Sequence, residues 1–174
     1  MPLEQKIEEN FKKAFKEKRE IEVSTLRMLR AAIFNEEKEK RYKLSKEKPD
    51  LEAKDLEKES SLTDEEILNV IFSEIKKRKE ALLLFEKGKR EDLVKKTEAE
   101  IKILKRYLPK QLSEEEIKEL AKKAIAALRA SLAPSEREKV GIKDMGKVMA
   151  ELMPKLKGKA EGSLVSKIVK ELLS

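Results

Sequence analysis

The sequence contains no cysteine and no histidine. Without cysteine there is no disulfide framework and no thiol chemistry. Without histidine the chain lacks the commonest general base and the commonest metal ligand. Zinc, haem and iron–sulfur centres of the usual kinds are thereby excluded, and no cofactor or metal is expected. Phosphate-loop, dinucleotide-fold and serine-nucleophile motifs are missing as well. Carboxylates are too numerous to single out a catalytic pair, so the residues argue against an enzyme. No run approaches the ~18 apolar residues of a membrane span. The opening Met1-Pro-Leu-Glu-Gln-Lys6 enters a charged pattern with no apolar signal core. A soluble, cytoplasmic protein with no membrane partner is expected.

Aromatic residues are few, at 4%, and charged residues make up 44%, a balance that suits long surface helices better than strands. Lysine and glutamate dominate while asparagine and glutamine are scarce, which resembles the surface of a thermophilic protein. Many lysines therefore have an explanation that needs no ligand. The net charge of +7 admits an anionic partner, but 42 basic residues stand among 35 acidic ones. Such a mixed surface consists mostly of solvated helix faces.

Taken in order, Leu3, Ile7, Phe11 and Phe15 form the apolar stripe of a first helix that fades near Lys18. A second helix, capped by Ser24 or a residue just before it, carries Ile21, Leu26, Leu29 and Ile33 and runs to about Lys43. Residues 44–62 read as a charged, mobile connection with room for a short helix. Thr63 and Glu66 form a capping box that opens the third helix, which Gly88 ends. A fourth helix spans about Glu91 to Tyr107 and stops before Pro109. Ser113 and Glu116 repeat the capping box for a fifth. Residues 131–141, with Pro134, read as a loop. A sixth helix runs from Ile142 to Met153 and ends at Pro154, and the last begins at Gly162-Ser163. Nothing alternates with period two. The fold class expected is all-α: an N-terminal four-helix antiparallel-type bundle in residues 1–108 and a C-terminal three-helix unit in 109–174.

The stretch from Met145 to Ser163 concentrates three of the five glycines and three of the five methionines. Two readings stand side by side there. In the functional one, Lys143, Lys147, Lys155, Lys157 and Lys159 approach phosphates, and Gly158 and Gly162 let the backbone come close. The helix N-terminus after Ser163 then adds an anion cradle. In the structural one, Met145, Val148, Met149, Leu152 and Met153 are core, Gly146 permits close helix packing, and Gly158 and Gly162 are turn residues. Arg27 and Arg30, three residues apart, form a second basic candidate together with the run Lys76-Lys-Arg-Lys79. For these, solvated faces paired with Glu36, Glu37 or Glu74 are the alternative. The aromatics, assigned mostly to core stripes, leave few platforms for base stacking, so a shape-and-phosphate mode is expected for any RNA contact.

Several signatures in order carry a resemblance. They are Leu26-Arg-Met-Leu-Arg-Ala-Ala-Ile33 with Asn35; Ile75-Lys-Lys-Arg-Lys-Glu-Ala81; Phe85, Gly88, Arg90, Asp92 and Leu93; Glu100-Ile101 with Leu104; Tyr107-Leu-Pro-Lys-Gln-Leu-Ser113-Glu; and the closing Met145-Gly-Lys-Val-Met149 with Met153-Pro-Lys-Leu-Lys-Gly-Lys-Ala-Glu-Gly-Ser163. Together they resemble the YqeY-like proteins, stand-alone versions of the GatB/YqeY domain that also forms the tail of one subunit of the tRNA-dependent amidotransferase. The resemblance implies an all-helical fold in two parts and a non-catalytic role in contacting tRNA or a related structured RNA. Amidotransferase or aminoacyl-tRNA synthetase components are further implied partners. Two other functions remain open. One is a protein-interaction module, which nuclease-resistant, salt-resistant pull-down would favour. The other is the glutamine-dependent carbon–nitrogen ligase activity attached to the family, which turnover with glutamine, ATP and mischarged tRNA would establish.

Overall fold

Helices account for all the regular structure among the described residues of the computed structural model, which are 2–156 and 158–174. The all-α expectation holds. The chain divides into two units, Met1–Leu108 and Pro109–Ser174.

The first unit contains α1 (Leu3–Lys16), α2 (Glu20–Glu47), α3 (Ala53–Ser60), α4 (Asp64–Lys87) and α5 (Glu91–Lys105). Ile7, Leu26, Leu29, Ile67, Ile71 and Leu104 are sealed in its core. The core residues recur at three- and four-residue intervals because helical geometry puts such positions on one face. The second helix starts earlier than its Ser24 cap would require. Its N-cap is Arg19, without a side-chain cap bond. The sharp turn before it is made by Lys18 in the left-handed region, φ 56°. A second lysine, Lys89, takes the same role at φ 54° between α4 and α5. Gly88 does end α4, yet its own φ is −78°. The conformation that favours glycine thus falls one residue later.

Residues 44–62 hold the last turn of α2 and the whole of α3. Polar pairs fasten α3 to α2: Lys48 Nζ lies 2.6 Å from a Glu59 oxygen, and Arg41 Nε donates to Ser60 Oγ at 3.2 Å. Lys40 Nζ reaches both the Ser61 carbonyl at 3.0 Å and Glu66 at 2.8 Å. The capping box at α4 forms as expected. Thr63 Oγ1 accepts from the Glu66 N–H at 3.3 Å, and the Glu66 carboxylate accepts from the Thr63 N–H at 2.7 Å. The Lys40 ammonium and the Thr63 N–H hold the Glu66 carboxyl below its ordinary range. Replacing Thr63 by alanine removes one of the two bonds and is expected to destabilise the first unit by about 1 kcal/mol, read as a lowered urea midpoint with an unchanged slope.

The second unit contains α6 (Glu114–Ala130), the single-turn α7 (Pro134–Arg137), a 3-10 turn (Ile142–Asp144), α8 (Met145–Leu156) and α9 (Gly162–Leu173). Its core joins Ile117, Ala121, Val148, Leu152, Val165 and Val169. The second capping box, Ser113 with Glu116, opens α6. Pro154 does not end α8; the helix continues to Leu156. Proline removes one bond, to the carbonyl four residues back, and that residue, Ala150, is solvent-exposed so that water can serve the carbonyl. Burying Leu156 to 1% exposure outweighs the loss.

Candidate nucleic-acid interface

The methionine seam and the lysines of the Met145–Ser163 stretch separate onto opposite sides of α8. Val148 and Leu152 are buried, and Met145 and Met149 pack half-buried against the same core. Met153 is exposed, at 36%. Gly146 is exposed, and a Cβ added there would meet nothing within 4 Å, so it serves no close helix approach.

On the solvent side, Lys143, Lys147 and Lys155 recur at multiples of four residues, with Glu151 between the last two. All three lysines are exposed. Lys147 Nζ lies 3.0 Å from Asp144 and Lys155 Nζ lies 2.9 Å from Glu151. The Lys147 hydrogen bond, aided by the Gly141 N–H and the nearby Lys143 charge, holds the Asp144 carboxyl below its ordinary range despite its burial. Lys143 and Lys159 form no close ion pair with a carboxylate among the described residues, although the Lys143 charge acts on Asp144. The exposed Lys155–Glu151 pair contributes about 0–1 kcal/mol, so a phosphate can displace that carboxylate at little cost, whereas Asp144 is buried and holds Lys147 more firmly. Lys157, expected to join the group, lies outside the described residues.

The glycine–lysine turn after α8 spends its backbone internally. Gly158 adopts φ 70°, a conformation suited to glycine after a helix. The N–H groups of Lys159 and Ala160 both return to the Leu156 carbonyl, at 2.9 and 3.2 Å. The Gly158 carbonyl accepts from Gln111 Nε2 at 2.9 Å, and the Lys159 carbonyl accepts from the Leu112 N–H at 2.9 Å. Gly158 is buried. Its role is to shape the turn and meet Gln111, while Lys159 is exposed and carries its charge into solvent. Gly162 is half-buried, and a Cβ added there would have Met153 Cε as its nearest neighbour, at 3.8 Å. Ser163 Oγ donates to the Glu161 carboxylate at 2.6 Å, and Glu161 is the N-cap of α9. A phosphate approaching that helix start would meet a carboxylate first, so the cradle expected at Ser163 is already occupied by negative charge.

Arg27 and Arg30 lie together in the first unit, on the wall of a depression of about 810 Å³ between α1 and α2. Glu4, Glu8, Glu9 and Glu37 line it too, which makes it mixed in sign. Arg30 Nε is 2.7 Å from Glu8, and its guanidinium sits 4.5 Å from the centre of the Phe11 ring. Arg27 has no carboxylate partner among the described residues.

The run Lys76 to Lys79 requires a correction. Arg78 is 7% exposed and cannot reach a phosphate. Its Nη1 is 2.6 Å from Glu74 and its Nε is 2.9 Å from Glu100, and Nη2 reaches Met28 Sδ at 3.6 Å. The aromatics require another. Phe15, Phe34 and Tyr42 are 63%, 55% and 62% exposed, while Tyr107 is buried and accepts a hydrogen bond from Asn10. Gln111 and Leu112 are not singled out by the sequence for the turn they hold. Their bonding partners stand far along the chain, where no local pattern points.

A family model described as Yqey-like protein matches residues 47–173. Among individual proteins, the chain is 28% identical over 172 residues to "Altered inheritance of mitochondria protein 41, mitochondrial" of Pyrenophora tritici-repentis, covering 97% of this chain and 79% of that protein. It is 43% identical over 51 residues to "Uncharacterized protein C22F3.15" of Schizosaccharomyces pombe, covering 29% of this chain and 42% of that one. No helix among the described residues is long and apolar enough to cross a membrane. The first relative carries a mitochondrial name, which differs from the cytoplasmic location expected above.

Proposed function

The chain belongs to the YqeY-like family, and from that premise we propose that it is a non-catalytic helical module that binds tRNA or a comparable structured RNA, chiefly through phosphate contacts. The observation that carries the reading is the exposed cationic side of α8 and its following turn. Lys143, Lys147, Lys155 and Lys159 stand in solvent on the turn before α8, on α8 and after it; Lys155 is in an exposed, easily exchanged pair, and Lys143 and Lys159 form no ion pair among the described residues. Cations on one side of a rigid helix match the regular spacing of charge along a nucleic-acid backbone and set affinity and position more than sequence choice. The inward-turned backbone of Gly158 and Lys159 supports side-chain contacts over backbone ones.

The reading is tested by replacing Lys143, Lys155 and Lys159 with alanine and measuring tRNA binding across a range of salt concentrations. The slope of log affinity against log salt should flatten by up to about 0.7–0.9 for each phosphate that is no longer neutralised. A triple variant with native helicity and an unchanged slope would remove this surface from consideration. A comparison of tRNA, duplex RNA and duplex DNA at two salt concentrations establishes which nucleic acid is preferred.

A further inference from the structure

The solvent side of α2 carries Arg30, Phe34, Lys38, Tyr42 and Lys46 at an unbroken four-residue spacing, cation and aromatic in alternation. Positions four apart on a helix are neighbours, and the row winds slowly around the axis. Each ring has a cation stacked on it: Lys38 Nζ is 4.8 Å from the centre of Phe34, and Lys46 Nζ is 4.4 Å from that of Tyr42. Both rings nevertheless stay more than half exposed, at 55% and 62%.

The two edges of this helix differ in how their cations are used. On the edge facing α3 and the start of α4, Lys40, Arg41 and Lys48 pair with Glu66, Glu57 and Glu59. On the aromatic row, Lys38 and Lys46 have no carboxylate partner among the described residues. Fastening α3 and the start of α4 accounts for the first set of charges. It does not account for the second, nor for two large rings left in water. A cation over an exposed ring adds only a weak attraction and leaves most of the ring surface wet.

We propose that this row is a binding site for single-stranded nucleic acid, with bases stacking on Phe34 and Tyr42 and phosphates met by Lys38 and Lys46. Open aromatic faces interleaved with unpaired cations are the combination that single strands require, because every base has a π-face and every linkage a charge. The two rings stand eight residues apart, about 12 Å along the helix, so they engage separate bases of one strand. A membrane surface fits less well. An interfacial helix needs a continuous apolar face, and here a lysine interrupts the row after each ring. The site takes its ligand class from the RNA-binding reading of α8, on which it rests, but its residues, its unit and its mode of recognition are different. Phosphate contacts on α8 suit folded RNA; this row suits an unpaired end or loop.

The chain has no tryptophan and only two tyrosines, the exposed Tyr42 and the buried Tyr107, so a quenching of tyrosine emission that is lost in Tyr42→Phe is assigned to Tyr42. Titration of the full chain with a single-stranded oligoadenylate at low salt should quench that emission to saturation. In Tyr42→Phe, where only the buried Tyr107 still emits, the quenching should vanish. Affinity is followed by anisotropy of a labelled strand. The double variant Phe34→Leu/Tyr42→Leu keeps apolar bulk but removes both π-faces, and should bind at least about tenfold more weakly with unchanged circular dichroism. Failure to bind the oligoadenylate, binding without quenching, or wild-type affinity in the double leucine variant would overturn the site. So would quenching by anionic phospholipid vesicles in place of the strand. If tRNA still binds through the α8 lysines while the oligoadenylate leaves Tyr42 unquenched, this site falls and the α8 reading stands. If the oligoadenylate quenches Tyr42 while the α8 variant keeps its salt slope, the reverse holds.

Discussion

Replacing Arg78 by alanine is expected to destabilise the first unit by about 3–5 kcal/mol, enough to remove most of its cooperative unfolding transition. Arg78 lies between Glu74 and Glu100, at 2.6 and 2.9 Å, and both it and Glu74 are 7% exposed. Removing the cation leaves Glu100 without its partner and Glu74 with only the Lys77 ammonium, 2.8 Å away. The loss measured is therefore the cost of carboxylates stranded in a poorly hydrated place, which exceeds the net contribution of the intact triad. A control separates the two quantities. Replacing all three residues together by Glu74→Leu, Arg78→Met and Glu100→Leu should recover most of the stability, because apolar groups of similar volume often match a buried ion network. If Arg78→Ala unfolds with the wild-type urea midpoint, the triad is not a structural element of this unit. The same site bears on pH. Burial pushes the Glu74 carboxyl up, but hydrogen bonds from Lys77 and Arg78 outweigh it and hold the group below its ordinary value of 4.5. A depressed folded-state value means that the contribution is complete above 4.5 and is lost as the pH falls below it. Wild-type stability should therefore decline on the acid side of that value, and the apolar triple variant should decline less.

Replacing Leu152 by alanine should cost the second unit about 2–5 kcal/mol. Leu152 is 1% exposed and lies in the core shared by α6, α8 and α9. The change removes buried methyl groups and leaves a void that rigid helices fill only in part. A unit this small is expected to have a stability of only roughly 0.05–0.15 kcal/mol per residue, so the loss is comparable to the whole. Unfolding of this unit at ordinary temperature, seen as lost amide dispersion from its residues in NMR spectra, is the expected outcome. Met153→Ala, one position along the same helix but exposed, should change stability by no more than about 0.5 kcal/mol. Equal effects at the two positions would contradict the packing of α8 described above.

The features legible in the sequence are those whose cause is local. Thr63 with Glu66 and Ser113 with Glu116 cap their helices through partners three residues away, and both boxes form. The apolar seam of α8 is read correctly at Val148 and Leu152, because periodicity alone decides which side is buried. Local rules mislead where a distant interaction outweighs them. Pro154 disfavours helix, yet the burial of Leu156 carries α8 past it. Ser24 is a good cap, yet the turn at Lys18 starts α2 before it is reached. The charge run around Arg78 gives no hint of which member turns inward, since that depends on where Glu100 arrives. Phe15 continues a stripe of helical spacing but lies past the end of the core, and is 63% exposed. In the candidate interface, the lysine side of α8 is legible as a row of charges, whereas the inward bonding of Gly158 and Lys159 is not.

The bond from Gln111 to the Gly158 carbonyl joins residues 47 apart in sequence, and the Leu112 amide meets the neighbouring carbonyl of Lys159. This clasp links the segment entering α6 to the turn leaving α8. It can close only after the intervening helices have doubled the chain back on itself, so the ordering entropy of that whole loop must be lost first. The clasp is therefore expected to close late in folding, and its geometry ties the conformation of the glycine–lysine turn to the segment that enters α6. A substitution at Gln111 would consequently act on the rate at which the native turn is reached, as well as on the turn's own stability.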